Sequence, residues 1–174
     1  GDQHVDRNGG DQAQEPAGQV DLGQVRRAQV ESLDHLLHGV RGVGIHQRVS
    51  RGVDLVRTLV NQPAEQVYPE SFAETCRQTG DQSGFDVEIW DQARLEKERC
   101  GSLLAVARGS DRPPRLVIMR YQGSPSNDQS LALVGKGVTF DSGGLSLKPS
   151  EFMLTMKCDM AGAATVLGTM QAIA

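Results

Sequence analysis

The sequence predicts an α/β domain, with helices layered around a largely parallel or mixed sheet. Two observations carry this. Apolar residues recur at helical spacing in some stretches, and short runs of β-formers lie between them. Such alternation is the pattern of helices packed on a sheet. A chain of 174 residues is also long enough to close one core of ordinary size.

Composition divides the chain near residue 46. Residues 1–45 contain no Lys, Phe, Tyr, Trp, Met, Cys or Thr. Up to Gly23 the apolar content is too low for a core, so disorder is expected there. Val30, Leu33, Leu37 and Val40 follow one helical face, and Gly39, Gly42 and Gly44 interrupt it. We therefore treat residues 1–45 as an atypical segment, disordered or partly helical, and residues 46–174 as the folded domain.

Within 46–174 the elements follow in order. Val49, Val53, Val56 and Leu59 or Val60 form a helical stripe that ends before Asn61 and Pro63. Pro69 and Glu70 suit a helix start, and the helix runs to about Gly80. Phe85–Trp90 alternates and reads as a strand. Asp91 is placed to cap a short helix reaching about Arg99. Leu103–Ala107 is a short apolar run expected to be buried. Leu116–Tyr121 and Leu131–Val134 read as two further strands, joined by a loop with Pro125 and Asn127. A Gly-rich loop follows Lys136. A last helix begins near Met160 with Asp159 as its expected N-cap. Its small residues Ala161, Gly162, Ala163 and Ala164 allow close approach to another element.

Bulk properties narrow the function. The net charge is -4, which speaks against a dedicated nucleic-acid binder. No apolar run reaches the length of a membrane span. Cys76, Cys100 and Cys158 are odd in number and lack paired spacing. A reducing cytoplasm is the expected location. The chain opens on Gly1 rather than Met and shows no secretory signal.

The chemistry concentrates in VGKGVTFDSGGLSLKPSEFMLTMKCDMAGAATVLGTM, from Val134 to Met170. Lys136, Asp141, Lys148 and Asp159 sit there among glycines and apolar residues. Charges in such surroundings need partners or a metal. Asp141 and Asp159 offer carboxylate oxygens to a hard or borderline dication. Lys136 binds metal only as the neutral amine. That requires its pKa to fall from about 10.4 to near 7 or below, a differential of roughly 4–5 kcal/mol. A nearby dication supplies such a shift. A charged Lys148 beside an attacked carbonyl would stabilise the oxyanion.

Blander readings apply elsewhere. Gly135-Lys136-Gly137 lacks the earlier Gly and the following Ser or Thr of a phosphate loop. His4, His35, His38 and His46 lie in or beside the atypical segment and read as surface residues. Cys158 reads as a small core residue, since no His stands near it in sequence. Arg108, Asp111, Arg112, Pro113 and Pro114 read as a structured turn.

The segments GKGVTFDSGGLSLKPS and MKCDMAGAATV resemble the metal-binding signature of the leucyl aminopeptidase (cytosol aminopeptidase) family. RGVDLVRTLVNQPAEQVYPESFAE and GSLLAVARGSDRPPRLVIMRYQG resemble its preceding blocks. The likeness runs from about Val49 to Ala174. It implies the N-terminal part of a catalytic domain that removes N-terminal residues from peptides with two divalent ions, Mn2+ or Zn2+ or Mg2+. By the resemblance Lys136 is a metal ligand, Asp141 bridges both metals, and Asp159 belongs to the tighter site. Lys148 is the catalytic lysine, and Met156 lines the pocket for the substrate's first side chain. The family's later motif, Asn-Thr-Asp-Ala-Glu-Gly-Arg, does not occur in these residues. The tighter site thus holds three of its four protein ligands here, and the looser site holds only Asp141. The implied partners are peptides with a free N-terminus and further copies of the chain, since the intact family forms hexamers. The rival reading is a non-catalytic α/β binding or assembly module derived from the family.

Overall fold

The computed structural model describes residues 43–124 and 130–174. The expectations for the first 42 residues, including the helix around Val30–Val40 and the pair His35 and His38, lie outside the described residues. So do Pro125 and Asn127.

Helix α1, Val43–Asn61, starts ahead of the stripe that opens at Val49 and stops at the Asn61 boundary. Its packing face differs from the expected stripe, because Val49 and Val53 are exposed. Gly52 is buried instead, and a Cβ on it would stand 2.5 Å from the carbonyl oxygen of Gly168. The helix therefore seats through bare backbone at Gly52 and through Val56 and Leu59 further along.

Helix α2, Pro69–Ser83, begins at the proline, whose missing N–H costs nothing in a first turn. Ser71 fixes this start: its hydroxyl accepts from Tyr68 N–H at 2.9 Å and donates to the Gln66 carbonyl at 2.7 Å. Gly84 ends the helix at φ 86°, in the left-handed region, and returns its N–H to the Gly80 carbonyl at 2.8 Å.

Strand β1, Asp86–Trp90, pairs with strand β2, Leu116–Arg120, in register from Asp86 opposite Arg120 to Trp90 opposite Leu116. Among the described residues the sheet is this one antiparallel pair, where a largely parallel or mixed sheet was expected. The third expected strand does not form: 131–134 has no regular structure, and Leu131, Leu133 and Val134 are exposed. A strand exists only with a partner for its N–H and C=O groups, and apolar composition alone does not provide one. The helix-and-sheet class itself stands.

Between the strands lie α3, Gln92–Lys97, and α4, Gly101–Ala107. Asp91 caps α3 as expected, accepting from Arg94 N–H at 2.9 Å. The run Leu103–Ala107 is helical and holds no buried residue; Val106 is 70% exposed. The expectation of burial fails: α4 meets α3, but none of its residues is buried. The turn at Ser110–Pro114 is structured: Ser110 Oγ accepts from Arg112 N–H at 3.1 Å, and the Arg112 guanidinium lies 4.1 Å from the Tyr68 ring centre.

A short helix α5, Ser150–Met153, and a 3₁₀ turn, Met156–Cys158, lead to α6, Ala161–Ile173. The core joins Leu59, Val67, Cys76, Phe85, Met160, Ala164, Leu167 and Met170, with Val87, Val117 and Met119 of the sheet packed on it. Helix α6 thus lies between α1 and α2 and fixes the place where the Gly-rich loop must pass. No described helix is long and apolar enough to cross a membrane.

Candidate metal centre

Backbone contact sets the position of Lys136. The Ala163 N–H donates to the Lys136 carbonyl at 2.9 Å. A Cβ on Gly162 would stand 2.9 Å from Lys136 N, and one on Gly135 would stand 2.5 Å from Gly162 O. The loop lies directly against the first turn of α6, as the run of small residues suggested. Only glycine permits this approach at both positions.

That seating aims Lys136 at Asp159. Its Nζ lies 2.5 Å from Asp159 Oδ2, and the Asp159 side chain is only 18% exposed. Asp159 therefore does not cap α6. Met160 holds the N-cap position without a side-chain hydrogen bond, and Asp159 closes the 3₁₀ turn. The Asp159 carboxylate is taken up by the Lys136 ammonium and not by the α6 N–H groups.

Asp141 is held by a second lysine. Lys148 Nζ stands 2.9 Å from Asp141 Oδ2, and Gly143 N–H donates to Asp141 Oδ1 at 2.9 Å. The loop between them closes with Lys148 N–H on the Ser142 carbonyl at 2.9 Å. Gly143 and Gly144 both take positive φ, 89° and 68°, which makes this tight return possible. Lys148 also donates to Met156 Sδ at 2.9 Å. The five residues picked out in the sequence thus fall into two contact groups, Lys136 with Asp159 and Lys148 with Asp141 and Met156.

The charges act on one another. The Asp159 carboxylate holds the Lys136 ammonium above its usual pKa, and Asp141 adds to the effect. The Lys148 ammonium, then the Gly143 N–H, hold the Asp141 carboxyl below its usual range. Each carboxylate is paired with one ammonium, Asp159 with Lys136 and Asp141 with Lys148.

These residues fit a divalent cation. Asp159 Oδ2 is buried and has no well-aligned hydrogen bond; its partner is the ammonium of Lys136. Replacing that ammonium proton with a dication leaves a carboxylate oxygen and a neutral amine as donors in the same place. Asp141 adds a third donor side chain. Among the described residues no group of three or more His, Cys, Asp or Glu is placed to hold a metal.

Two contacts had no local sequence signal. One is the Lys148–Met156 bond, eight residues apart. The other joins Lys157 Nζ to the Asn61 carbonyl at 2.7 Å, across 96 residues.

Known proteins resemble the chain over most of its length. The family described as cytosol aminopeptidase, catalytic domain, matches residues 54–174. A probable cytosol aminopeptidase of Syntrophotalea carbinolica is 52% identical over 128 residues, covering 74% of this chain and 26% of the relative. The bottromycin maturation enzyme BotP in complex with Mn superposes with a TM-score of 0.66 at 41% identity, covering 75% of this chain and 28% of that one. The apo leucyl aminopeptidase of Trypanosoma cruzi gives 0.68 at 35% identity, covering 72% and 25%. The chain thus spans about a quarter of the length of the relatives it matches. On this match the chain belongs to the cytosol aminopeptidase family, within its catalytic domain.

Proposed function

We propose that the chain carries part of the centre of a metal-dependent aminopeptidase that releases N-terminal residues from peptides. In this reading residues 46–174 belong to the catalytic domain and residues 1–45 form a separate segment. The carrying observation is the pairing of Lys136 with Asp159 and of Lys148 with Asp141. Lys136, Asp141 and Asp159 would hold divalent metal, with two ions in the intact protein. The Mn in BotP makes Mn2+ the first ion to try; Zn2+ and Mg2+ are the alternatives for the same donors. When bound, such ions polarise a peptide carbonyl and lower the pKa of water.

The side chains then have separable tasks. Lys148 stays charged and stabilises the negative charge that grows on the carbonyl oxygen. Asp141 and Met156 hold its ammonium from two sides, which fixes its direction. Met156 lends its thioether to an apolar pocket for the first side chain of the peptide. The substrate is a peptide with a free amine, and the working form is an oligomer of identical chains. Three free cysteines support a reducing compartment, the cytoplasm.

The test is hydrolysis of a leucine anilide by the chain with Mn2+, with Mn2+ binding followed by calorimetry. Turnover that falls about 100-fold or more in Lys148→Ala while Mn2+ still binds supports the reading. Binding without turnover above that variant favours a non-catalytic module. No binding removes the metal centre from this chain.

A further inference from the structure

Helix α1 ends without a basic residue in its last turn. A helix C-terminus carries unpaired carbonyls and the negative end of the helix dipole. The cation that meets it comes from far along the chain: Lys157 donates to the Asn61 carbonyl at 2.7 Å. Lys157 is the middle residue of the 3₁₀ turn Met156–Cys158. Its neighbour on one side, Met156, accepts from Lys148. Two residues beyond it, Asp159 pairs with Lys136.

The turn closes with two backbone bonds of its own, Cys158 N–H to the Thr155 carbonyl at 2.9 Å and Asp159 N–H to the Met156 carbonyl at 3.3 Å, and it runs into the buried Met160. It spans three residues, none of them buried, and its N-cap lacks a side-chain hydrogen bond. Such a turn does not hold two charged partners in register by itself. Helix α1 is a firm anchor by contrast, since it packs on α6 through Gly52 against Gly168.

We infer that Lys157 is a positioning residue: by capping the C-terminus of α1, it fixes the turn that sets Met156 against Lys148 and Asp159 against Lys136. This rests on the metal-centre reading given above, and it assigns a task to a side chain that touches neither metal nor substrate. Lys157→Met keeps the stem and loses the cation. Lys157→Arg keeps the cation and the donors.

The experiment measures Mn2+ affinity of the chain and its two variants, well below their melting temperatures. Methyl NMR of Met156 is recorded without metal. The expected result is affinity about 10-fold weaker in Lys157→Met, as for other residues that orient ligands. Lys157→Arg should return to within about threefold of the parent. The Met156 methyl signal should shift in Lys157→Met and revert in Lys157→Arg. Equal affinity in all three proteins, or a loss that Arg does not restore, overturns the proposal. If the parent chain binds no Mn2+, the metal reading fails separately, and the methyl signal decides the positioning role. An unmoved signal in Lys157→Met then overturns it.

Discussion

Gly143 shows how much one residue of the loop controls. Its φ of 89° is a region that side chains rarely adopt, and a Cβ there would press on the Ser146 carbonyl oxygen. Gly143→Ala should lose roughly 1–3 kcal/mol of stability and displace Asp141, whose Oδ1 takes the Gly143 N–H. A urea melt and a carboxylate NMR spectrum would check both, and an unchanged melt would mean that the loop bends freely. Cys76 gives a pH prediction. Burial pushes its thiol up to about 12. In the unfolded chain the thiol titrates near 8.5, at about its ordinary value. Between these values the unfolded chain has lost a proton that the folded chain keeps. Stability is therefore intact below the lower value and falls as pH rises through the window, by at most about 1.4 kcal/mol per pH unit. Urea midpoints at neutral and alkaline pH should diverge less in Cys76→Ala. The site was unevenly legible at this scale. Asp141 and Asp159 stand out as carboxylates among glycines, but nothing in a lysine's ordinary chemistry marks Lys136 as a ligand. The family likeness pointed to it, and the fold places it on Asp159. Lys157 had no signal, because its partner is a backbone carbonyl 96 residues away.

At the scale of elements, Gly52 reverses the usual rule for helices. Replacing glycine by alanine inside a helix normally stabilises by about 1 kcal/mol. Here the new Cβ would sit 2.5 Å from Gly168 O and 3.2 Å from Gly168 C, both backbone atoms of α6. Backbone cannot rotate aside as a side chain does, so α1 and α6 must move apart, at a cost typical of overpacking, about 1–3 kcal/mol. The net change in Gly52→Ala should be destabilising, read as a lower denaturation midpoint; a rise would show that the crossing is loose. The same position explains why the packing face of α1 was misjudged in the sequence. Apolar periodicity scores side chains, and Gly52 packs with none. Elements with local signals were legible: Pro69 starts α2, Gly84 ends it and Asp91 caps α3. Elements that depend on distant partners were not. Leu131–Val134 has strand composition, but neither β1 nor β2 pairs with it. Asp159 has the ideal residue type for an N-cap, yet Lys136 claims it.

The whole molecule is lopsided in how it hides apolar surface. The core lies between α1, α2, α6 and the two-stranded sheet. The stretch 131–154 contributes no buried hydrophobic residue, and it exposes Val134, Leu145, Leu147, Phe152 and Leu154. Leu145 is fully exposed and Leu154 is 79% exposed. Scattered apolar residues on a surface are ordinary, but a run of this density in one segment is a sticking surface. The loop bends at Gly143 and Gly144, where Asp141 meets Lys148, and its leucines stand outside the core. The chain should therefore bind a hydrophobic dye while folded and associate as its concentration rises. Leu145→Glu combined with Leu154→Lys should lower dye binding and light scattering together. Because neither side chain is packed, each change should alter folding stability by no more than about 0.5 kcal/mol. A larger loss of stability would show that these leucines are packed in solution. Unchanged scattering would place the association on another face. Either result would separate the loop's shape, which serves the paired lysines and aspartates, from the apolar surface that this shape leaves uncovered.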